Sequence, residues 1–372
     1  MSALNDELKE SSHTAVAVAT SKPPEVTTSE EDDNVVLVPN LFEKLEHTMA
    51  TATKSQLEAW AQEILTLEVT DQKRGLPLSG ISKQLVRMVR DYVADHHPEW
   101  TMKQFQTEYV KRLAAPFKCS LLNLMRVALG IKCENSTIFV SHAWEYNNKR
   151  FFSCVLELDV SDADHFWIDA LTVNQFHNHH GFDWWSKTFQ TCISAIQKTV
   201  LILFPYSDPI PLTRAWCLFE IFCTHRAGIE FEVAMDEHEK TKFHSALSDM
   251  SFDFRDWVAK IDLSQAKAFD PSDKANILAV VESDSNAGGL HGLNKRVIEM
   301  LRQWLSEQVQ SLEVVPSSDD YFEVMDSKGR FLITQGKFAE AEAVYRRLIR
   351  DSKNQKKAKW LLQTMGQLVR HQ

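Results

Sequence analysis

Apolar residues recur along the chain at two spacings, and the change from one to the other divides it into regions. From about residue 38 to 130 the period is helical. Leu57, Trp60, Ala61, Ile64 and Leu65 fall at i, i+3, i+4, i+7 and i+8, and Ile81, Leu85, Met88, Val89 and Tyr92 form a similar stripe. Asn40 with Glu43, and Thr101 with Gln104, have the spacing of capping boxes. These patterns predict an all-α unit whose stripes are core. Short apolar runs follow at 137–140, 166–168, 200–204 and 230–233, separated by helical stretches near 147–159, 183–197 and 213–227. Strands alternating with helices of that length predict βαβ crossovers and a parallel sheet with helices on both faces. Residues 237–313 return to the helical period, with Val297, Met300, Leu301, Trp304 and Leu305 at core spacing.

Composition sharpens this picture. The 372 residues carry 41 Lys+Arg and 51 Asp+Glu, a formal charge of −10. Eight acids and two bases lie in residues 1–34, whereas residues 319–372 hold eleven bases against seven acids. The acidity is mainly in a tail, and the near-neutral body argues against a nucleic-acid binder held by phosphate contacts. That tail combines acids with Ser, Thr and Pro and too little apolar surface to offset its ordering entropy, so residues 1–37 read as disordered. The eleven glycines form neither a dinucleotide fingerprint nor a P-loop, the nearest cluster being Gly288-Gly289-Leu290-His291-Gly292. Six cysteines without a C-x-x-C pair, a polar N-terminal sequence and no run long enough to span a membrane predict a soluble, reduced, cytoplasmic protein.

Candidate chemistry gathers where the strands end. Glu220 lies in Trp216-Cys-Leu-Phe-Glu-Ile-Phe-Cys223, a segment in which no base at i±3 or i±4 can pair with it. Thr213, after two prolines, is the expected N-cap of that helix. A carboxylate on so apolar a helix must reach solvent, find a distant partner or line a cleft. Ser141, His142 and Trp144 follow the first strand, Asp169 follows the second and Pro205-Tyr206-Ser207 the third. In an open parallel sheet such positions can converge on a ligand, and Trp144 or Trp216 could supply a flat aromatic wall. His177, His179 and His180 form a histidine-rich loop without an obvious fourth ligand, read as an exposed loop with no metal. The run Lys353–Lys359 reads as a solvated helix face.

These strings resemble a known family. Thr213-Arg-Ala-Trp-Cys-Leu-Phe-Glu220-Ile is similar to the S-x-W-C-L-x-E-L segment of Toll/interleukin-receptor-type (TIR) domains, with Phe139-Val-Ser-His142 in the place of their opening strand. Phe166-Trp-Ile-Asp-Ala-Leu-Thr-Val-Asn-Gln175 resembles the signature of the related heterokaryon-incompatibility (HET) domains. Gly329, Gly336, Phe338, Ala341 and Tyr345 sit where a tetratricopeptide helix pair places small or aromatic residues, resembling repeats of kinesin-light-chain type. Only one such unit and a following helix, near 356–370, fit before the last residue, whereas an array needs about three repeats to bury a continuous core.

The resemblance implies an α/β fold with a flavodoxin-like parallel sheet over 136–236. It is flanked by an N-terminal helical region over 38–135, a helical extension over 237–315 and tetratricopeptide-like helices over 319–372. It further implies NAD as a substrate and no resident cofactor, with Glu220 as the catalytic carboxylate and Ser141, His142, Trp144, Asp169 and Trp216 as pocket residues. The alternative it carries is a non-enzymatic signalling scaffold that self-associates through the α/β domain and binds protein partners through the helix pair. The loop after the second strand departs from the family pattern, with Asn174-Gln175 and the histidines replacing a glycine-bearing loop, and no fifth strand is evident after Met235.

Overall fold

A computed structural model describes residues 41–73, 78–176, 182–248, 253–284, 288–311, 321–334 and 336–351. The expected tail at 1–37, the histidine loop, the linker at 316–320, the basic run and the last helix lie outside the described residues. Five strands, β1 (Ile81–Ser82), β2 (Ile138–Ser141), β3 (His165–Trp167), β4 (Lys198–Ile202) and β5 (Glu230–Ala234), form one sheet in the order β1-β3-β2-β4-β5. The β2–β3 and β4–β5 pairs are parallel, and β1 runs antiparallel to β3. The fold is thus α/β with a mostly parallel sheet flanked by helices. All four residues of β2 are buried, the pattern of a strand covered on both faces. At the outer strand β5, Lys198 pairs with Glu230 at 2.8 Å and Glu232 at 3.0 Å, charges that blunt an exposed strand edge.

The chain divides into two compact units, Met1–Phe139 with Trp144–Cys192, and Val140–Ala143 with Ile193–Gln372. In the first, the helix Lys54–Lys73 packs on Leu121–Leu129, and Lys83–His96 packs on Asn148–Leu156. Thr101 and Gln104 form the expected capping box, whose helix passes through a π-helical stretch, Phe105–Val110, into Lys111–Ala114. Two expectations are corrected. The N-terminal region is not all-α, because Ile81 leaves its predicted helical stripe and forms β1 against Phe166. This pairing also supplies the fifth strand, from before the others in sequence. Leu65 is 56% exposed although its stripe neighbour Ile64 is buried, because the buried face instead continues to half-buried Leu67 and Glu68.

In the second unit, the helix Ala215–Ala227 packs against β4, β5 and two later helices, Pro271–Ser283 and Gly289–Ser311. Val297, Leu301, Trp304 and Leu305 are buried as their spacing predicts. The helices Tyr321–Thr334 and Phe338–Asp351 form a hairpin around Tyr321, Met325, Ala341, Tyr345 and Leu348. Gly336, at φ +71°, ends the first of them: its N–H donates to Ile333 O and that of Lys337 to Leu332 O, a Schellman turn. Gly329 permits close packing, since a Cβ there would lie 2.5 Å from the Tyr345 ring. The Tyr345 hydroxyl is held 3.2 Å from Asp326 Oδ1 and cannot retreat freely. Gly329→Ala should therefore destabilise the protein by roughly 1–3 kcal/mol, the usual cost of overpacking. Chemical denaturation checks this, and an unchanged urea midpoint would contradict it.

Candidate functional site

The Ala215–Ala227 helix is apolar nearly all round, so it can only be stable when covered. Covering it forces Glu220 inside, to 7% exposure. The partner missing from its own helix comes from 79 residues earlier: Ser141, the last residue of β2, donates from Oγ to Glu220 Oε2 at 2.5 Å. A second tie runs alongside it, Cys217 Sγ donating to the His142 carbonyl at 3.4 Å. The buried His142 ring has Nδ1 3.4 Å from Val140 O. Below the carboxylate, the Thr224 hydroxyl donates to the Glu220 carbonyl at 2.8 Å and is also 2.9 Å from Thr199 Oγ1 on β4. Helix and strand ends therefore hold Glu220 in one position in a site of low polarity.

The helix begins differently from expectation. Thr213 closes a 3-10 turn, Ile210–Thr213, and its hydroxyl donates to Ile210 O at 2.8 Å, so it does not cap the helix. Arg214 is the N-cap, its side chain making no capping bond, and the Lys267 carbonyl accepts from Ala215 N at 2.9 Å instead. Trp216, half-buried one turn before Glu220, donates from Nε1 to Asp273 Oδ2 at 3.0 Å. Burial pushes the Asp273 carboxyl above the ordinary carboxylate range. The segment after β4 is pinned by its backbone: Tyr206 N donates to Glu239 Oε1 at 2.6 Å, and Trp257 Nε1 donates to Tyr206 O at 2.7 Å.

Of the predicted site residues, Ser141, His142, Trp216 and Glu220 belong to the second unit, and Trp144 and Asp169 to the first. Trp144 Nε1 donates to Asp169 Oδ2 at 2.9 Å, and Asp169 Oδ1 accepts from Ala170 N at 2.7 Å. Asn174 and Gln175 act as a brace. Asn174 Nδ2 donates to Lys118 O at 2.6 Å and to Glu68 Oε2 at 3.0 Å. Gln175 Nε2 donates to Asp169 O at 2.7 Å, while its Oε1 accepts from Gln106 Nε2 at 3.1 Å. Glu68 Oε1 also accepts from Ser120 N and Asn123 Nδ2, at 3.1 and 2.9 Å. Sequence reasoning missed Glu68 and Gln106. The available signal was position: Glu68 is four residues after buried Ile64, where an amphipathic helix ordinarily places an apolar side chain.

Among the described residues, no group of three or more His, Cys, Asp or Glu could hold a metal ion. Five of the six cysteines are buried and Cys133 is half-buried. Burial pushes Cys133 up to about 11, and burial followed by the Glu220 charge raises Cys223, so these thiols are poor nucleophiles near neutrality. A neutral thiol reagent should titrate at most one cysteine in the native protein and all six after denaturation. Rapid native labelling of two or more would show that the buried set is accessible.

No helix among the described residues is long and apolar enough to cross a membrane. No family model matches the chain, and neither a curated protein nor a solved structure matches it.

Proposed function

We propose that this protein is a TIR-like hydrolase of NAD-type nucleotides, with Glu220 as the catalytic carboxylate. The observation that carries the reading is the 2.5 Å bond from Ser141 to a carboxylate only 7% exposed, at the carboxyl end of a strand inside the sheet. Such strand ends are where open α/β sheets bind ligands. Breaking the bond between nicotinamide and ribose leaves oxocarbenium character on the sugar. A fixed, poorly solvated negative charge stabilises that state more than the neutral-ribose ground state, because the charge develops as the bond breaks. Ser141 fixes the orientation of the carboxyl group, so that it can act on the sugar from one position. Nicotinamide leaves as a neutral heterocycle with the electron pair of the broken C–N bond, water adds to the anomeric carbon, and the proton that water loses passes to solvent. The test is incubation of the purified protein with NAD and with its phosphate form, reading nicotinamide release in wild type and Glu220→Ala.

A second reading, a non-enzymatic scaffold binding protein partners through tetratricopeptide-like helices, is favoured by one observation: Glu220 has a hydrogen-bonded partner and so is satisfied as a core residue. The Gly329–Tyr345 packing of the helix hairpin fits that reading too. Wild-type protein that releases no nicotinamide but self-associates would favour the scaffold.

A further inference from the structure

We infer that Asn148 holds a buried water molecule between the helices Lys83–His96 and Asn148–Leu156, where the N-terminal region meets the loop after β2. Such a water does not depend on what Glu220 does. Asn148 is wholly buried, at 0% exposure, and among the described residues neither its Oδ1 nor its Nδ2 has a hydrogen-bond partner. Asn148, Phe151, Phe152 and Val155 fall at i, i+3, i+4 and i+7, and all four are buried. The amide therefore takes the first place on a stripe that is otherwise apolar. A polar group in such a place is ordinarily paired, since withdrawing it from water without a partner is costly.

The two helices run antiparallel. Lys83 Nζ, at the start of the first, donates to Leu158 O and Val160 O just past the end of the second, both at 3.4 Å. At the opposite end, Asn148 N donates to Trp100 O and Asn147 Nδ2 to Pro98 O, each at 2.8 Å. Asn147 is the helix cap, its Oδ1 accepting from Arg150 N at 3.0 Å. Asn148 thus lies where the C-terminal end of Lys83–His96 meets the first turn of Asn148–Leu156. That helix end has a carbonyl whose helical donor is missing: the residue four positions after Ala94 is Pro98, which has no N–H. An anion would leave Oδ1 without a donor, and a cation would leave Nδ2 without an acceptor. Water has both, and buried waters commonly make about three hydrogen bonds. One molecule can accept from Nδ2 and donate to a carbonyl such as that of Ala94. The N-terminal region already grips the loop through Met102 N to Tyr146 O at 2.9 Å and Lys103 N to Trp144 O at 3.0 Å. The water adds a link inside the helix pair.

The test uses the full chain. A high-resolution crystal structure should show a water oxygen within about 2.7–3.2 Å of Asn148 Nδ2 or Oδ1. In solution, oxygen-17 magnetic relaxation dispersion counts long-lived internal waters. Asn148→Leu nearly keeps the volume but removes both polar groups, and it should hold one such water fewer than wild type. If the leucine variant does not fold, Asn148→Val makes the same comparison with less bulk, and the wild-type density decides should neither fold. An equal count of long-lived waters in wild type and a folded variant overturns the water site. So does density in which Asn148 bonds protein atoms alone, or in which its partner refines as an ion or a cosolvent molecule.

Discussion

Glu220→Ala should reduce NAD consumption by about 10²–10³-fold, the magnitude seen when a single preorganised electrostatic group is removed from a site. The alanine variant alone is ambiguous, because it also leaves the buried Ser141 hydroxyl without its acceptor, at a cost of roughly 1–3 kcal/mol. Glu220→Gln separates the two effects. Its amide oxygen still accepts from Ser141, so its denaturation midpoint should stay near that of wild type, yet the negative charge is gone and turnover should be as low as in Glu220→Ala. Nicotinamide release measured for both variants, with circular dichroism as the check on folding, decides the matter. Undiminished release in Glu220→Ala overturns the catalytic assignment. Full activity in Glu220→Gln would show that shape and hydrogen bonding matter at this position while charge does not.

The largest stability effect outside the core is expected at Glu68. Its carboxylate gathers Ser120 N and Asn123 Nδ2 on one oxygen and Asn174 Nδ2 on the other. Glu68→Ala removes all three bonds to a charged acceptor and should cost about 3 kcal/mol, since each such bond contributes about 1.5–3 kcal/mol and water can replace only some of them. Glu68→Gln should cost less, because one oxygen remains to accept. The readout is the urea midpoint at unchanged slope. A loss below about 0.5 kcal/mol, the usual range of surface substitutions, would mean that the brace contributes nothing. Because Asn174 and Gln175 join this network to the Asp169 carbonyl, Glu68→Ala should also weaken protection of the amides of residues 169–176 in hydrogen exchange.

The two predictions differ in how far they could be foreseen. Glu220 is conspicuous in sequence as an acid among aromatic and aliphatic residues on a helix without a base within reach. Its partner is not. Nothing local marks Ser141 as the donor, since 79 residues separate the pair and only the sheet brings the end of β2 to the helix. For Trp216, periodicity placed the indole on the Glu220 face, but Asp273 is 57 residues away and its neighbourhood reads as an ordinary helix start. The Asn174-Gln175 pair stood out as a motif whose role as a brace depends on Glu68, over a hundred residues earlier.

What can be read without a structure follows from local physics. The helical period, the short apolar runs and the capping box at Thr101 each depend on residues within a few positions, and the runs and the period located four of the five strands and the helices between them. The exceptions have the same cause. Ile81–Ser82 fits a helical stripe by spacing yet becomes a strand because Phe166 and His165 offer it a pairing edge. Thr213 has the chemistry of an N-cap, but the Lys267 carbonyl reaches the helix end first. The carbonyl at the helix end and the hydroxyl on Glu220 come from distant parts of the chain. Burying the apolar helix Ala215–Ala227 is the tertiary event that turns an isolated acidic residue into a fixed, hydrogen-bonded carboxyl group, because a polar group withdrawn from water must be satisfied by whatever the fold places beside it.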